Sequence, residues 1–447
     1  MNPAPPKSAP GIQAMNACFR NRLDLEHLTL AFLLMFAATS SLGISLMQVA
    51  YGLSLAAWIG VILWTRARKG WCRPPLWRPM LVFIVANMVV VAFSLDRSHS
   101  LNAARQLGLM GLVLVVGNSV GNPRHVAALI VTWFASAMLV SFHSIGQYYY
   151  GMERVMGFFG GPMTLARVLV LVTAVAIPLS VYGRGPVRQV AVGGLLLTGT
   201  AVFLTFSRSA WLALGVALLF LGVVKKNWIL LGGMSMMVCV ALSLAAFCPQ
   251  TETGSLIRSA LEPMNPSSAR FHKSNLQRYW MYKSALKIFC DYPITGVGQR
   301  NFNKVYSAYV PEELRDPRIL RDDGRVYTGF AHAHSLYLNL LATQGMLGLA
   351  AFLWLMAAAV RLTWHNYRRH DDALLGTISL GILTAMVAFL ALGMIDENSR
   401  DSESVMQLWF LMGMAMAIHR LPTGPSRPAP LSAQPNPGAA HSRPGNA

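Results

Sequence analysis

Apolar runs close to twenty residues long recur twelve times along the chain, at 28–46, 48–64, 79–95, 101–118, 126–144, 162–182, 189–206, 209–224, 228–247, 334–360, 373–395 and 404–419. Wound as a helix, a run of that length crosses roughly 30 Å of hydrocarbon. Lipid offers the backbone no hydrogen-bond partner, so each run must bond internally. The expected fold is therefore an all-α integral membrane protein with about twelve transmembrane helices. Composition agrees: 54% of residues are hydrophobic and 12% charged, and the mean hydropathy is +0.45. The runs divide the chain into spans one to nine over 26–247 and spans ten to twelve over 334–420, separated by one large loop at 248–333. The segments 1–25 and 421–447 contain NPAPPKSAPG and PTGPSRPAPLSAQPNPG, and both are expected to be disordered cytoplasmic tails. No small-residue cleavage site follows the first run, which argues against a removable signal peptide.

Orientation follows from the lysines and arginines of short loops. With the N-terminus inside, the inner loops carry thirteen of them, from Arg66 to Arg369, against five outside: Arg97, Arg105, Arg154, Arg208 and Arg400. The asymmetry predicts N-in and C-in, with the 248–333 loop outside. It also accounts for much of the +19 net charge. Nucleic-acid binding is excluded as a reading, because the basic residues are spread over inner loops rather than gathered in one patch. The five cysteines show no CxxC or Cys/His metal spacing. Cys248 and Cys290 both fall outside, where a disulfide survives; two packed thiols are the plainer reading.

The large loop has internal organisation. LQRYWMYKSALKIF at 276–289 spaces its aromatic and aliphatic residues as an amphipathic helix lying on or against the bundle. DYPITGVGQRNF at 291–302 carries Pro and Gly turns, and EELRDPRILRDDGRVY at 312–327 reads as a charge-dense lid. FAHAHSLYLNL at 330–340 then returns the chain to the membrane, with His332 and His334 at the mouth of the next apolar run.

Arg208, in TFSRSAWLAL, lies between two membrane helices on the outer side, where it does not serve the topology signal. Snorkelling to headgroups is the plain alternative. Arg278 sits on the amphipathic helix, where arginine is commonplace. Arg105 and Arg167 lie near outer helix ends. Guanidinium forks hold phosphate oxygens bidentately, and an outward-facing membrane enzyme has no ATP. A polyprenyl diphosphate-linked sugar fits these constraints, with its diphosphate on arginines and its tail between helices. A neutral histidine would then take the proton of an attacking sugar hydroxyl, a role worth roughly 10²–10⁴ in rate. The neighbouring arginines are expected to keep His334 uncharged. A structural histidine at a helix start is the alternative. A metal on His332 and His334 lacks a nearby Asp, Glu or Cys to complete the set.

SRSAWLAL at 207–214, RYWMYKSALKIFCDYPITGVGQRNF at 278–302 and HAHSLYLNLLATQGMLGLAAF at 332–352 resemble the O-antigen ligase and polymerase family of membrane glycosyltransferases. The resemblance implies a GT-C-like fold in the bacterial inner membrane, an active site facing the periplasm, and inverting transfer without metal, nucleotide or other cofactor. It implies Arg208 and Arg278 on the diphosphate and His334 as the catalytic residue, with His332 preceding it in the motif; Arg105, Arg167 and Arg300 are supporting candidates that the resemblance does not itself carry. For a ligase the partners are undecaprenyl diphosphate-linked O-antigen as donor and lipid A-core as acceptor, together with membrane lipids. The single large outer loop before the histidines favours the ligase. An O-antigen polymerase or a protein O-oligosaccharyltransferase stays open. The polymerase's Arg-x10-Gly pattern occurs at Arg97/Gly108 and Arg318/Gly329, as often as chance supplies. A transporter is the reading from another class. It would need buried acids for ion coupling, and Asp96, Asp396 and Glu397 all sit at helix ends.

Overall fold

The computed structural model describes residues 10–65, 74–228, 231–232, 243, 273–310, 332–370 and 373–423. The apolar run 228–247, the lid 312–327, Cys248 and the segment 424–447 fall wholly or largely outside them. Every regular element among the described residues is helical. In chain order these are α1 (Pro10–Thr39), α2 (Ile44–Thr65), α3 (Trp77–Ala92), α4 (Arg97–Ala104), a 3-10 turn (Arg105–Met110), α5 (Gly111–Ser119), α6 (Pro123–Tyr149), α7 (Pro162–Tyr182), α8 (Gly185–Leu204) and α9 (Arg208–Lys225). Then come α10 (Lys273–Asp291), α11 (Phe302–Tyr309), α12 (Leu336–Arg369), α13 (Ala373–Ile395) and α14 (Ser402–Arg420).

Eight described helices are long and apolar enough to cross a membrane, and Trp77–Ala92 is a shorter apolar one. The chain is an integral membrane protein. One boundary differs from the sequence reading. The first helix starts at Pro10, well inside the segment 1–25 expected to be disordered. The physical reason is local: the prolines end there, Pro suits the first helical position, and GIQAMNACFRNRLDLEHL contains no interior breaker.

Two helices form the centre. Every residue of α7 from Leu165 to Ser180 is buried, as is every residue of α14 from Ser404 to Ile418. A helix apolar all round belongs in a core. α7 packs on α8 and α13, and α14 on α5; α12 bridges α3 and α13. The outer helices expose Leu46, Val49 and Leu63 of α2, Leu196 and Phe203 of α8, and Leu212 and Val223 of α9. Apolar surface on that scale belongs against lipid.

One feature of α12 positions the outer loop. Its helix is broken at Gly345, where φ is 62° and ψ −164°. The DYPITGVG turn lies against the break. Val297 N–H donates to Ala342 O at 3.0 Å, Gly298 N–H to Thr343 O at 2.9 Å, Met346 N–H to Pro293 O at 2.8 Å and Leu347 N–H to Ile294 O at 3.1 Å. The backbone groups freed by the break are thus satisfied by the turn. Gly345 and Gly296 (φ 64°) permit this contact. A Cβ on Gly345 would lie 2.3 Å from Ile294 O, and one on Gly296 2.4 Å from Thr343 C. The amphipathic helix expected at 276–289 is α10. It packs on α12, with Met281, Ala285 and Ile288 buried in a small core shared with Val297, Phe302 and Tyr306.

Candidate active site

The two histidines sit in the turn that opens α12. Ser335 caps the helix, its Oγ accepting from Leu338 N–H at 3.5 Å. His334, just before the cap, has φ +48°. A non-glycine residue in that region costs of order 1–3 kcal/mol and persists only where its surroundings enforce it. Two contacts do so: His334 N–H donates to His332 Nδ1 at 3.2 Å, and Tyr282 Oη donates to His334 O at 3.2 Å. The two imidazoles lie 4.4 Å apart, centre to centre. Burial first, then the charges of His334 and Arg167, push His332 down to about 3. His332 is therefore a neutral acceptor that holds the backbone of its neighbour.

Behind the turn lies a buried charge cluster. Arg167 of α7 is 6% exposed and Asp396, just past α13, 1%. Arg167 Nε donates to Asp396 Oδ2 at 3.0 Å and Nη2 to Oδ1 at 2.9 Å, a bidentate fork. Its Nη1 donates to Asp401 Oδ2, which also accepts from Thr164 Oγ1 at 2.9 Å. His334 Nδ1 lies 3.7 Å from Asp396 Oδ1. That is ion-pair distance, too long for a hydrogen bond, and Nδ1 has no hydrogen-bond partner. Burial alone would raise the Asp396 carboxyl, but the contacts with His334 and Arg167 outweigh it and hold it below the usual carboxylate range. The charged contact of His334 is thus a carboxylate, where the sequence reading surrounded it with arginines. Arg167 is held by two carboxylates rather than open to a phosphate. Glu397, next in the chain, is 1% exposed, and burial raises its pKa.

Arg208 is the first residue of α9, whose Ser207 gives no side-chain cap. It is half-buried and within electrostatic range of Arg278 and Arg154. Arg154 anchors the corner, its Nε donating to Thr205 O at 3.0 Å. Phe206, two residues ahead of Arg208, is also left-handed, with φ 50°. Arg278 and Tyr282 stand one turn apart on α10, on one face. Tyr282 is raised chiefly by burial and feels both Arg278 and Asp396. The structure thus joins Arg208 to Arg278, Arg278 to Tyr282, and Tyr282 to the histidine turn. Arg105 is elsewhere, exposed at the start of the 3-10 turn. Arg300, half-buried at φ 59°, lines a cavity of about 120 Å³ with Arg400.

Sequence reasoning missed Asp396, Tyr282, Arg154 and Arg400 as members of this cluster. Asp396 was legible as an ionisable group directly after an apolar run. Tyr282 was legible as the residue one turn from Arg278. Among the described residues no group of three or more His, Cys, Asp or Glu could hold a metal ion. Cys290 is a free, exposed thiol at the end of α10.

Residues 193–353 match a protein-family model described as O-antigen ligase. The match starts in α8, ends within α12, and contains Arg208, Arg278, Tyr282 and both histidines; Asp396 and Arg400 lie beyond it. No curated protein matches the chain.

Proposed function

We propose that this chain, whose residues 193–353 match the O-antigen ligase family model, transfers an O-antigen glycan from undecaprenyl diphosphate to a sugar hydroxyl of lipid A-core. The observation that carries the reading is the chain of contacts through one turn. A carboxylate lies 3.7 Å from one nitrogen of His334, and a helix bonded to the same turn carries Arg278, which lies within electrostatic range of Arg208. Asp396 beside Nδ1 favours a proton there, leaving Nε2 as the acceptor. The acceptor hydroxyl loses its proton to Nε2 as its oxygen bonds the anomeric carbon. The bond from that carbon to the diphosphate oxygen breaks on the opposite side, so configuration inverts. The electron pair leaves with the diphosphate. Arg208 and Arg278 stabilise the growing charge, and the uncapped N-terminus of α9 adds roughly half a positive charge. Two fixed guanidiniums supply the electrostatics that a metal ion supplies elsewhere, so no metal or other cofactor is assigned. His332 positions the base and does not titrate with it.

Counted on twelve spans, the excess of basic residues in the inner loops supports N-in and C-in and a periplasmic turn in the inner membrane. The resemblance implies a GT-C-like fold, in which donor lipid and acceptor lipid meet at the outer membrane–water boundary. The short loop 145–161 favours ligase over polymerase. The test is transfer in nanodiscs by purified protein, with lipid-linked glycan and lipid A-core each omitted in turn. Product is expected only with both, and not with His334→Ala. Elongation of the donor alone would make the chain a polymerase, and no product under any condition would sink the transferase reading. For topology, a variant keeping only Cys290 should react with an impermeant maleimide from the periplasmic side.

A further inference from the structure

The cavity of about 120 Å³ beside the histidine turn has no part in the chemistry above. Neither Arg208 nor Arg278 lines it. Its walls carry Arg300 and Arg400, and also Asn339, whose Oδ1 accepts Ala333 N–H at 3.4 Å within the His-Ala-His turn. A volume of that size holds on the order of eight waters at ~10–15 Å³ each, enough for a polar group much larger than a single ion.

Three of its lining residues have buried polar atoms without a partner: Glu397 Oε2, Gln344 Oε1 and Trp409 Nε1. Glu397 is 1% and Trp409 5% exposed. Native proteins rarely leave such atoms unbonded. Here two acceptors and one donor gather around one space, beside an indole face. Hydroxyl groups donate and accept, and satisfy both kinds at once, while the apolar face of a sugar ring covers indole. The two arginines add positive charge. Both line the cavity, and burial, then the charge of Arg300, lower the pKa of Arg400. Burial raises the pKa of Glu397.

We propose that this cavity is a second substrate subsite, which takes a sugar ring bearing an anionic group, carboxylate or phosphate, and presents the acceptor glycan to His334. Arg300 and Arg400 hold the charge, while Glu397, Gln344 and Trp409 hold hydroxyls. The juxtaposition fits a two-substrate transfer. The donor's arginines reach the histidine turn through Tyr282, while Arg400 lies within electrostatic range of His332 from the cavity. The acceptor role rests on the transferase reading; the binding chemistry does not.

The test measures binding apart from transfer. Methyl glucuronide, glucose 6-phosphate, methyl glucoside and inorganic phosphate are titrated calorimetrically into the full chain in detergent. The two anionic sugars should bind at least tenfold tighter than either the neutral glycoside or phosphate. Arg300→Gln should weaken them tenfold or more, and Arg208→Gln less than twofold. Trp409→Phe, which keeps a ring but loses the donor, should weaken them about threefold to tenfold and reports independently if the arginine variant does not fold. Equal binding of phosphate, equal binding of methyl glucoside, or indifference to both Arg300→Gln and Trp409→Phe overturns the subsite. Anionic-sugar binding in a protein that transfers nothing would keep the subsite and remove the transferase reading. Transfer by a protein whose cavity binds none of these probes would do the reverse.

Discussion

Replacing Asp396 with Asn separates the orientation of His334 from the charge balance of Arg167. The carboxylate accepts from Arg167 twice, at 3.0 and 2.9 Å, and lies 3.7 Å from His334 Nδ1. Asn keeps the shape but turns one acceptor into a donor, so one charge-assisted bond is lost, at about 1.5–3 kcal/mol. Removing a partner outright from a buried pair costs about 3–5 kcal/mol. Here Asp401 still pairs the guanidinium, so the lower figure applies and the protein should fold. The effect on rate is larger. Without the carboxylate, nothing favours the proton on Nδ1, and the base loses both its tautomer and the stabilisation of its charged form. A general base contributes about 10²–10⁴, and most of that should go: single-turnover transfer at saturating substrates should fall about 10²–10³-fold. Asp401→Asn removes a comparable charge from Arg167 without touching His334, and should cost less than about tenfold. Both variants are assayed at pH 7.5 alongside melting in detergent. If Asp396→Asn transfers within threefold of the parent, or if Asp401→Asn is the more damaging change, Asp396 serves Arg167 alone and the base assignment loses its support.

Three further outcomes follow from particular contacts. Arg208→Lys keeps the charge but not the fork, and should recover no more than about a tenth of the activity; full activity in steady-state transfer would exclude bidentate phosphate recognition. His332 is held neutral down to about pH 3 when folded but protonates near 6.5 when unfolded. Unfolding therefore takes up a proton below pH 6.5, and stability is full above that value and falls as the pH drops towards 3. The loss between pH 6.5 and 5 is about 2 kcal/mol. His332→Asn, which keeps an acceptor for His334 N–H, should flatten the melting temperature over that range, and an unchanged slope would assign the acid sensitivity elsewhere. Gly345→Ala places a methyl 2.3 Å from Ile294 O in a conformation open essentially to glycine alone. It should cost at least about 2 kcal/mol in melting experiments and lower transfer with it, whereas Gly199→Ala, with nothing within 4 Å, should be silent.

What could be read in advance divides along a physical line. The helices were legible because lipid forces every apolar run to bond internally, and α10 because its aromatic residues recur at helical spacing. The Gly345 break was not, since the apolar run continues through MLGLAAFLWL and only the polar TQG interrupts it. Arg208 stood out as an arginine the topology does not call for and His334 by its place at the mouth of an apolar run, whereas Arg278, commonplace on its helix, was singled out by the resemblance. Their connections were not legible: Tyr282 meets His334 by a tertiary contact. Arg167 looked open to phosphate because its partners lie 229 and 234 residues away. Long-range pairing of one buried charge by another leaves no local trace, so the same arginine reads as a ligand site until its carboxylates are seen.

The broken α12 bears on how the protein is made. A membrane helix with unbonded backbone groups in its first third is costly to release into lipid, and the groups that complete it belong to a turn some fifty residues earlier in the chain. The 292–301 segment must therefore already be beside this span as it settles into the bilayer. Biogenesis is then not a queue of independent helices. The helices α12 to α14 and the outer turn mature as one unit, and the strained histidine turn takes shape only when that unit closes. A chain truncated before Gly345 should present no assembled centre, however well the helices before it insert.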